Sequence, residues 1–429
     1  MNPLPWWKPE VLATALAERY GRQGLVWLDG DGSKLGRHAV LAAGPEQVLR
    51  CEGLPGDPSA TNPFEALSVA FSGKAGHWLG WLSYEAGAWV EPAEHWQAPQ
   101  MAVLWAARYS VVIELDLQQQ TIQLLGEGPR HDELMGLLHG PAPLIHPVKT
   151  SIQPEAWCWH SGRRNYTKQV EKVRAWIAGG DLFQANLTDC AEQTLTQPAD
   201  PLALYERLRQ GCPAPFGGVM IASRQEAVLS ASPERFLQVD SQGLVETRPI
   251  KGTRPRNSNP MRDADAAAEL VTSPKDRAEN VMIVDLMRND LGRVCSFGSI
   301  NVPQLVGLES YPQVHHLTSV VTGVLKQPLD TAGLLQACWP GGSITGAPKI
   351  RACERLSSLE PVPRGPYCGS FFHRRPNGRF DSNILIRSVL MLGKRLRVHG
   401  GCGIVADSDP QLEADELGWK VQPLIDALA

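Results

Sequence analysis

The sequence predicts an α+β fold of large antiparallel β-sheets forming a sandwich-like core with flanking helices. Three observations point there. Strand-like runs are joined mainly by short turn sequences, so hairpins far outnumber strand–helix–strand units. The chain has 429 residues and 43% apolar content, enough for one large core or two packed subdomains. Its texture changes from Tyr166, beyond a Gly/Pro/His-rich stretch at 126–154. The expected division is therefore an N-terminal subdomain over 1–125, a linker over 126–154 and a larger unit over 155–429.

Composition excludes several classes of function. A net charge of -4 supplies no broad basic surface, so nucleic acid is not an expected partner. Nine cysteines lie scattered without a CxxC pair or zinc spacing, which suits reduced thiols in a cytoplasmic protein. The first residues lack the apolar core of a secretory signal, and no run is long enough to span a bilayer.

In chain order, residues 11–20 form an amphipathic helix, and 24–28, 40–43, 77–84 and 109–115 read as strands. Residues 131–139 carry a helical turn or two. A helix at 166–178 has apolar Val170, Val173 and Ile177 at helical spacing and stops at Gly179-Gly180. A strand at 183–190, a helix at 201–210 and a hairpin over 227–248 follow. Next come a helix at 276–289, strands at 299–306 and 313–325, and late strands at 367–373, 384–392 and 395–399. Asp409-Pro410 then opens a closing helix, as a cap followed by a first-turn proline.

The stretch with the most chemical character is Arg248-Pro249-Ile250-Lys251-Gly252-Thr253-Arg254-Pro255-Arg256. Lysine shifts its pKa readily, and neighbouring positive charge lowers it. A lysine amine uncharged near neutral pH is a nucleophile. If the hairpin turns on Asp240-Ser241-Gln242-Gly243, paired positions sum to about 483, and Glu234 faces Pro249. Lys251 then lies diagonally from Glu234, roughly 7–8 Å away. Such a pair can divide the roles of acid and nucleophile.

Two helices carry further carboxylates. Lys275, Glu279 and Met282 share a stripe on the helix at 276–289, whose many polar groups predict burial on most sides with Asp285, Arg288 and Asp290 paired internally. Glu413, Glu416 and Lys420 share a face of the closing helix. Carboxylates converging from two helices make a hard oxygen environment suited to Mg²⁺. Read alone, the closing helix is an ordinary acidic surface. Pro340-Gly341-Gly342-Ser343-Ile344-Thr345-Gly346-Ala347-Pro348-Lys349 is a Gly-rich loop before a helix, hence a candidate anion site, without Walker spacing. Arg387 and Lys420 could supply the opposite jaw for a carboxylate.

These segments, with Gly180–Leu187, Ser232–Phe236, His316-Leu317, Arg364–Gly369 and Gly401–Lys420, together resemble the chorismate-utilising enzymes. The resemblance is strong from Tyr166 to the C-terminus and loose over the first 125 residues. Within that family the branch forming anthranilate carries alanine where Lys251 stands. The branch forming 4-amino-4-deoxychorismate carries lysine, and those making isochorismate or salicylate place a lysine at the position of Gln184. The resemblance therefore implies amination of chorismate at C4, on the route to 4-aminobenzoate and folate.

It also implies roles. Glu234 is the proton donor to the C4 hydroxyl, Lys251 the nucleophile at C2 and His316 part of the wall near the leaving group. Ser343, Tyr367, Arg387, Gly403 and Lys420 are substrate-contacting positions. Mg²⁺ sits on Glu279 and Glu416, with Glu413 nearby. No glutaminase motif is present, so ammonia comes from solution or from a separate glutamine amidotransferase subunit. Tryptophan is an effector in parts of the family; Gly30, Pro215, Phe216 and Gly217 correspond to its site, with Gly30 in place of a serine. Two other readings stand beside this one. They are an enzyme forming anthranilate or aminodeoxyisochorismate, opposed by Lys251, and a non-catalytic relative, which would have no use for Glu234, Lys251, Glu279 and Glu416 together.

Overall fold

Two large antiparallel sheets, of eleven and ten strands, face one another across an apolar core. This computed structural model describes residues 4–73, 75–144, 152–311, 314–327 and 330–429. Val26, Ala42, Met220 and Val228 of the larger sheet meet Trp78, Trp81, Phe371 and Phe372 of the smaller one. Neighbouring Leu25, Trp27 and Leu41 point the other way, onto Leu12 and Leu16 of the helix Pro9–Tyr20. Successive side chains leave opposite faces of a strand, so a sheet covered on both sides needs apolar residues at every position. That is why residues 25–28 of the strand Leu25–Asp29 read as a continuous apolar run. The α+β sandwich expected from the sequence is the architecture observed.

The N-terminal strands belong to both sheets. Leu25–Asp29 pairs with Phe216–Ser223 in the larger sheet, and His77–Leu82 pairs with Ser370–Arg374 in the smaller. The stretch 126–154 thus runs between strands shared by the same two sheets. It holds the eleven-residue helix Pro129–His139, and residues 145–151 lie outside the described residues.

Two expectations are corrected. Gln238 pairs with Glu246 and Val239 with Val245, one place away from the predicted register. The cause is a three-residue loop: Asp240 N–H donates to Leu244 C=O at 3.0 Å, and Gly243 takes a positive φ of 86°. Lys251 also leaves this ladder; it sits in Ile250–Pro255 opposite Leu317 of Val314–Val324. Second, the helix Pro274–Val294 is buried along one face, not most. Asp285 and Arg288 pair on the exposed side at 2.9 Å, whereas buried Asp290 binds Lys349 at 2.6 Å. Helices Pro63–Ser72, Pro260–Thr272 and Thr331–Cys338 were not anticipated.

Candidate active site

Ser232-Pro233-Glu234 is where the chain crosses from the larger sheet, at Glu226–Ser232, to the smaller, at Arg235–Val239. The corner is held by Ser232, whose hydroxyl donates to Ile384 C=O at 2.5 Å and accepts from Glu234 N–H at 3.2 Å. Glu234 is thereby buried at 7% exposure. Burial pushes its carboxyl up to about 7, against the opposing effects of a hydrogen bond from Ser343 and the nearby Lys251. A carboxylic acid of that pKa can hold a proton at neutral pH and release it.

Lys251 owes its position to a β-bulge. Pairing with Val314–Val324 shifts between Lys251 and Thr253, around Gly252 with a φ of 81°. A Cβ at Gly252 would come within 2.9 Å of Asp276 and Leu270, so glycine is required there on two counts. Among the described residues no hydrogen bond or ion pair is made by the Lys251 amine. Burial lowers its pKa, while Glu279 and Glu234 pull the other way and Lys420 adds to the depression. The flanking arginines are paired instead: Arg248 with Glu309, Arg254 with Asp276 and Glu269, Arg256 with Asp263. They are neutralised locally, so burial rather than the arginine run depresses the lysine.

The larger sheet supplies the facing wall. A Cβ on Gly403 would lie 3.7 Å from Lys251 Nζ and 2.5 Å from Gln184 Nε2. Any side chain at 403 would therefore invade the space above the amine. Gln184 is 2% exposed and its Oε1 has no partner. A buried acceptor left open in this way marks a place where a ligand's hydrogen-bond donor fits.

Glu279 projects from Pro274–Val294, and Glu413 and Glu416 from Pro410–Leu428. Ser273 and Asp409 cap these helices by accepting backbone N–H bonds, which fixes where each begins. Burial raises the pKa of Glu279 and of Glu413. For Glu416 burial acts upward, but Lys420 at 2.7 Å, with Lys275 and Lys251, holds its pKa below the ordinary value. Glu413, Glu416 and Cys402 bring ligand atoms within 4.8 Å of one another, whereas Glu279 stands outside that tightest group. Carboxylates whose ionisation is opposed by burial favour a hard cation that would offset it, and this donor set fits Mg²⁺. The Cys402 thiol, pushed up to about 12 by burial, stays neutral beside them.

His316 is buried, and its Nδ1 lies 2.8 Å from Thr253 Oγ1. Burial and the nearby Arg387 push it down to about 4, so the ring is neutral at physiological pH. Arg387 has a φ of 50°, strained for a residue with a side chain. Its guanidinium has no hydrogen bond or ion pair among the described residues. Lys420 donates to Gly401 C=O at 2.9 Å as well as to Glu416. Tyr367 is buried, stacked on His399 at 5.0 Å, with Cys402 close enough to affect its phenol. The structure therefore groups Glu234, Lys251, Glu279, Glu416, Lys420, Ser343 and Gly403, with Arg387 beside His316 and Tyr367 reached through Cys402.

Pro215, Phe216 and Gly217 line a cavity of about 380 Å³ away from this group. Gly30 lies instead in an adjoining cavity of about 270 Å³, which shares Gly217.

A profile of chorismate binding enzymes matches residues 31–426. This chain belongs to that family. It is 38% identical over 355 residues to aminodeoxychorismate synthase component 1 of Salmonella typhimurium, covering 82% of this chain and 76% of the relative. The protein of that name from Escherichia coli K12 is 36% identical over 377 residues, covering 87% and 80%. Among solved structures, anthranilate synthase component I from Streptococcus pneumoniae superposes with a TM-score of 0.78 at 26% identity, covering 92% and 93%. As a chorismate binding enzyme, the chain has in its Lys251 wall chemistry that suits covalent substitution on a ring.

Proposed function

We propose that this chain converts chorismate and ammonia to 4-amino-4-deoxychorismate, as the component I of an aminodeoxychorismate synthase. The observation that carries the reading is an unpaired, burial-depressed Lys251 beside the protonatable Glu234. Glu234 gives its proton to the C4 oxygen, which leaves as water, while the Lys251 amine bonds to C2 and the ring double bonds shift. Ammonia then bonds to C4, the double bonds return, and the C2–N bond breaks with the lysine leaving as a neutral amine. The proton released as ammonium becomes ammonia restores Glu234.

Arg387 and Lys420 hold substrate carboxylates, Ser343 and Tyr367 donate hydroxyl hydrogen bonds, and Gly403 leaves room for the ring. Neutral His316 borders the departing hydroxyl. Glu279 and Glu416, with Glu413 nearby, would hold Mg²⁺, which when bound supplies positive charge to the ring carboxylate. Ammonia comes from a separate glutamine amidotransferase; the name component 1 carried by the relatives supports such a partner. Tryptophan is the ligand we propose for the cavity at Phe216. Nine free cysteines support a reducing, cytoplasmic setting, and among the described residues no helix is long and apolar enough to cross a membrane.

The test is to supply the chain with chorismate, Mg²⁺ and ammonium and to identify the product by mass and by coupling to a lyase that forms 4-aminobenzoate. Anthranilate as the product, or none, would overturn the proposal.

A further inference from the structure

The reaction above makes no use of Cys402. This residue lies on Arg395–Ile404 between Gly401 and Gly403, and its side chain is fully buried. Side chains alternate across a strand, so it leaves the face opposite Gly403 and enters the layer beneath Gly162–Ala178 and Pro410–Leu428. Glu413 reaches the same layer: the Ser408 hydroxyl donates to its Oε1 at 2.6 Å, and the Cys402 thiol donates to its backbone carbonyl at 3.4 Å. Glu416 approaches from one helical turn further on. The sulfur and one carboxylate oxygen from each glutamate all lie within 4.8 Å of one another.

Three atoms so placed share a point no more than about 2.8 Å from each, so shifts of at most roughly 0.5–0.8 Å bring them to zinc–ligand lengths. Mg²⁺ has no affinity for sulfur and is served by the carboxylates alone. A thiolate selects softer ions, and a tetrahedral ion needs only one more ligand, from water or a substrate oxygen.

We propose that Cys402, Glu413 and Glu416 form a mixed sulfur–oxygen site for a softer divalent cation of the zinc or cobalt class, overlapping the Mg²⁺ position through the two glutamates. The inference rests on the reading of those glutamates as a cation site, and adds the thiol to it. Binding replaces the S–H bond with a sulfur–metal bond and releases one proton to solvent, with no change of oxidation state. Because Glu416 serves both ions, occupancy by the softer one excludes Mg²⁺. The chain is then a chorismate enzyme that zinc inhibits by competition for its activating metal, through a residue on the far side of the sheet from the substrate.

The experiment titrates the full chain with Co²⁺ in the absence of chorismate and records the near-ultraviolet thiolate-to-cobalt charge-transfer band. Wild type is expected to show the band, and both Cys402→Ala and Cys402→Ser to lose it. The ratio of Zn²⁺ to Mg²⁺ affinity, from calorimetric competition, is expected to fall at least tenfold in both variants. Thermal melting identifies a variant that has lost its fold, and serine keeps the shape if alanine loosens the strand. Co²⁺ binding without the band in wild type overturns the thiol's role and leaves the carboxylate site standing. A band that survives both substitutions, or an unchanged affinity ratio, overturns it too. Failure of any cation to bind overturns both this inference and the metal reading beneath it.

Discussion

The wall around Lys251 and the pocket beside Phe216 lie in the same sandwich and both are rich in charge, yet they treat it differently. In the pocket, most charges close on one another. Arg235 meets Asp381 at 3.0 Å and also lies over the Phe216 ring, Arg375 meets Glu114, and Arg209 meets Asp29 at 2.6 Å. At the Lys251 wall several stay open: among the described residues Lys251 and Arg387 make no ion pair, Glu234 is tuned to hold a proton, and Gln184 keeps a buried acceptor unfilled, although Lys420 and Glu416 pair at 2.7 Å. Paired charges serve the fold. Unpaired ones store affinity and reactivity for a substrate, at a cost in stability.

The sharpest way to break this contrast is Lys251→Ala. Amination at C4 should fall at least about a thousandfold, about 4 kcal/mol of transition-state stabilisation. Thermal stability should hold or rise, because burial opposes the charged form of this amine and the side chain makes no hydrogen bond or ion pair among the described residues. Wild-type turnover with lyase coupling intact would refute the nucleophile. Glu234→Gln should follow with a loss of about a hundredfold, since the amide cannot deliver a proton. The wild-type rate should decline as pH rises through about 7, where Glu234 loses its proton, and that alkaline limb should vanish in the variant. Stability gives an independent reading. A carboxyl raised in the fold contributes stability at low pH that is lost as pH rises through about 7, so the melting temperature of Glu234→Gln relative to wild type should climb between pH 5 and 8. A flat difference would show that Glu234 is not raised.

Much of this was legible before the structure. The sandwich follows from hairpin-rich patterning, and the candidate site residues were chosen from ordered motifs. What failed was geometry set by single turn residues. The left-handed Gly243 makes a three-residue loop that moves the register by one, and Lys251 lies beyond the short hairpin ladder, paired with Leu317 of Val314–Val324. Glu234 and Lys251 still meet, by way of the sandwich corner and the bulge rather than a ladder diagonal. Long-range pairing was also invisible. The arginines that suggested a depressed lysine are each matched to an acid on another element, and the depression comes from burial instead. Cys402 stood in a quoted motif, but only the alternation of its strand beneath a later helix reveals its two glutamate neighbours.

Smaller effects sharpen the comparison. Arg387→Met should raise KM for chorismate roughly tenfold or more, through loss of a charge-assisted carboxylate contact, with a lesser change in kcat. A variant with unchanged KM would remove Arg387 from the substrate jaw.

Asp29→Ala probes the closed side. The Asp29 side chain is nearly buried, and its Oδ2 accepts from Arg209 at 2.6 Å and from the Tyr205 hydroxyl at 3.1 Å. Removing it leaves a guanidinium that is three-quarters covered and lies over the Trp27 ring, 5.2 Å from its centre, with only the longer ion pair to Glu10 at 3.5 Å. Because Arg209 keeps some access to water, the expected loss is about 1–2 kcal/mol of folding stability, below that of a fully buried broken pair. Denaturant titration should show the midpoint fall while the slope stays constant. The divergence expected between Lys251→Ala, which keeps or gains stability, and Asp29→Ala, which loses it, is the decisive feature. If both substitutions destabilise alike, the lysine has a structural partner and its chemistry must be sought elsewhere. If they diverge, the open charge at the wall is held in place by the closed charges around it.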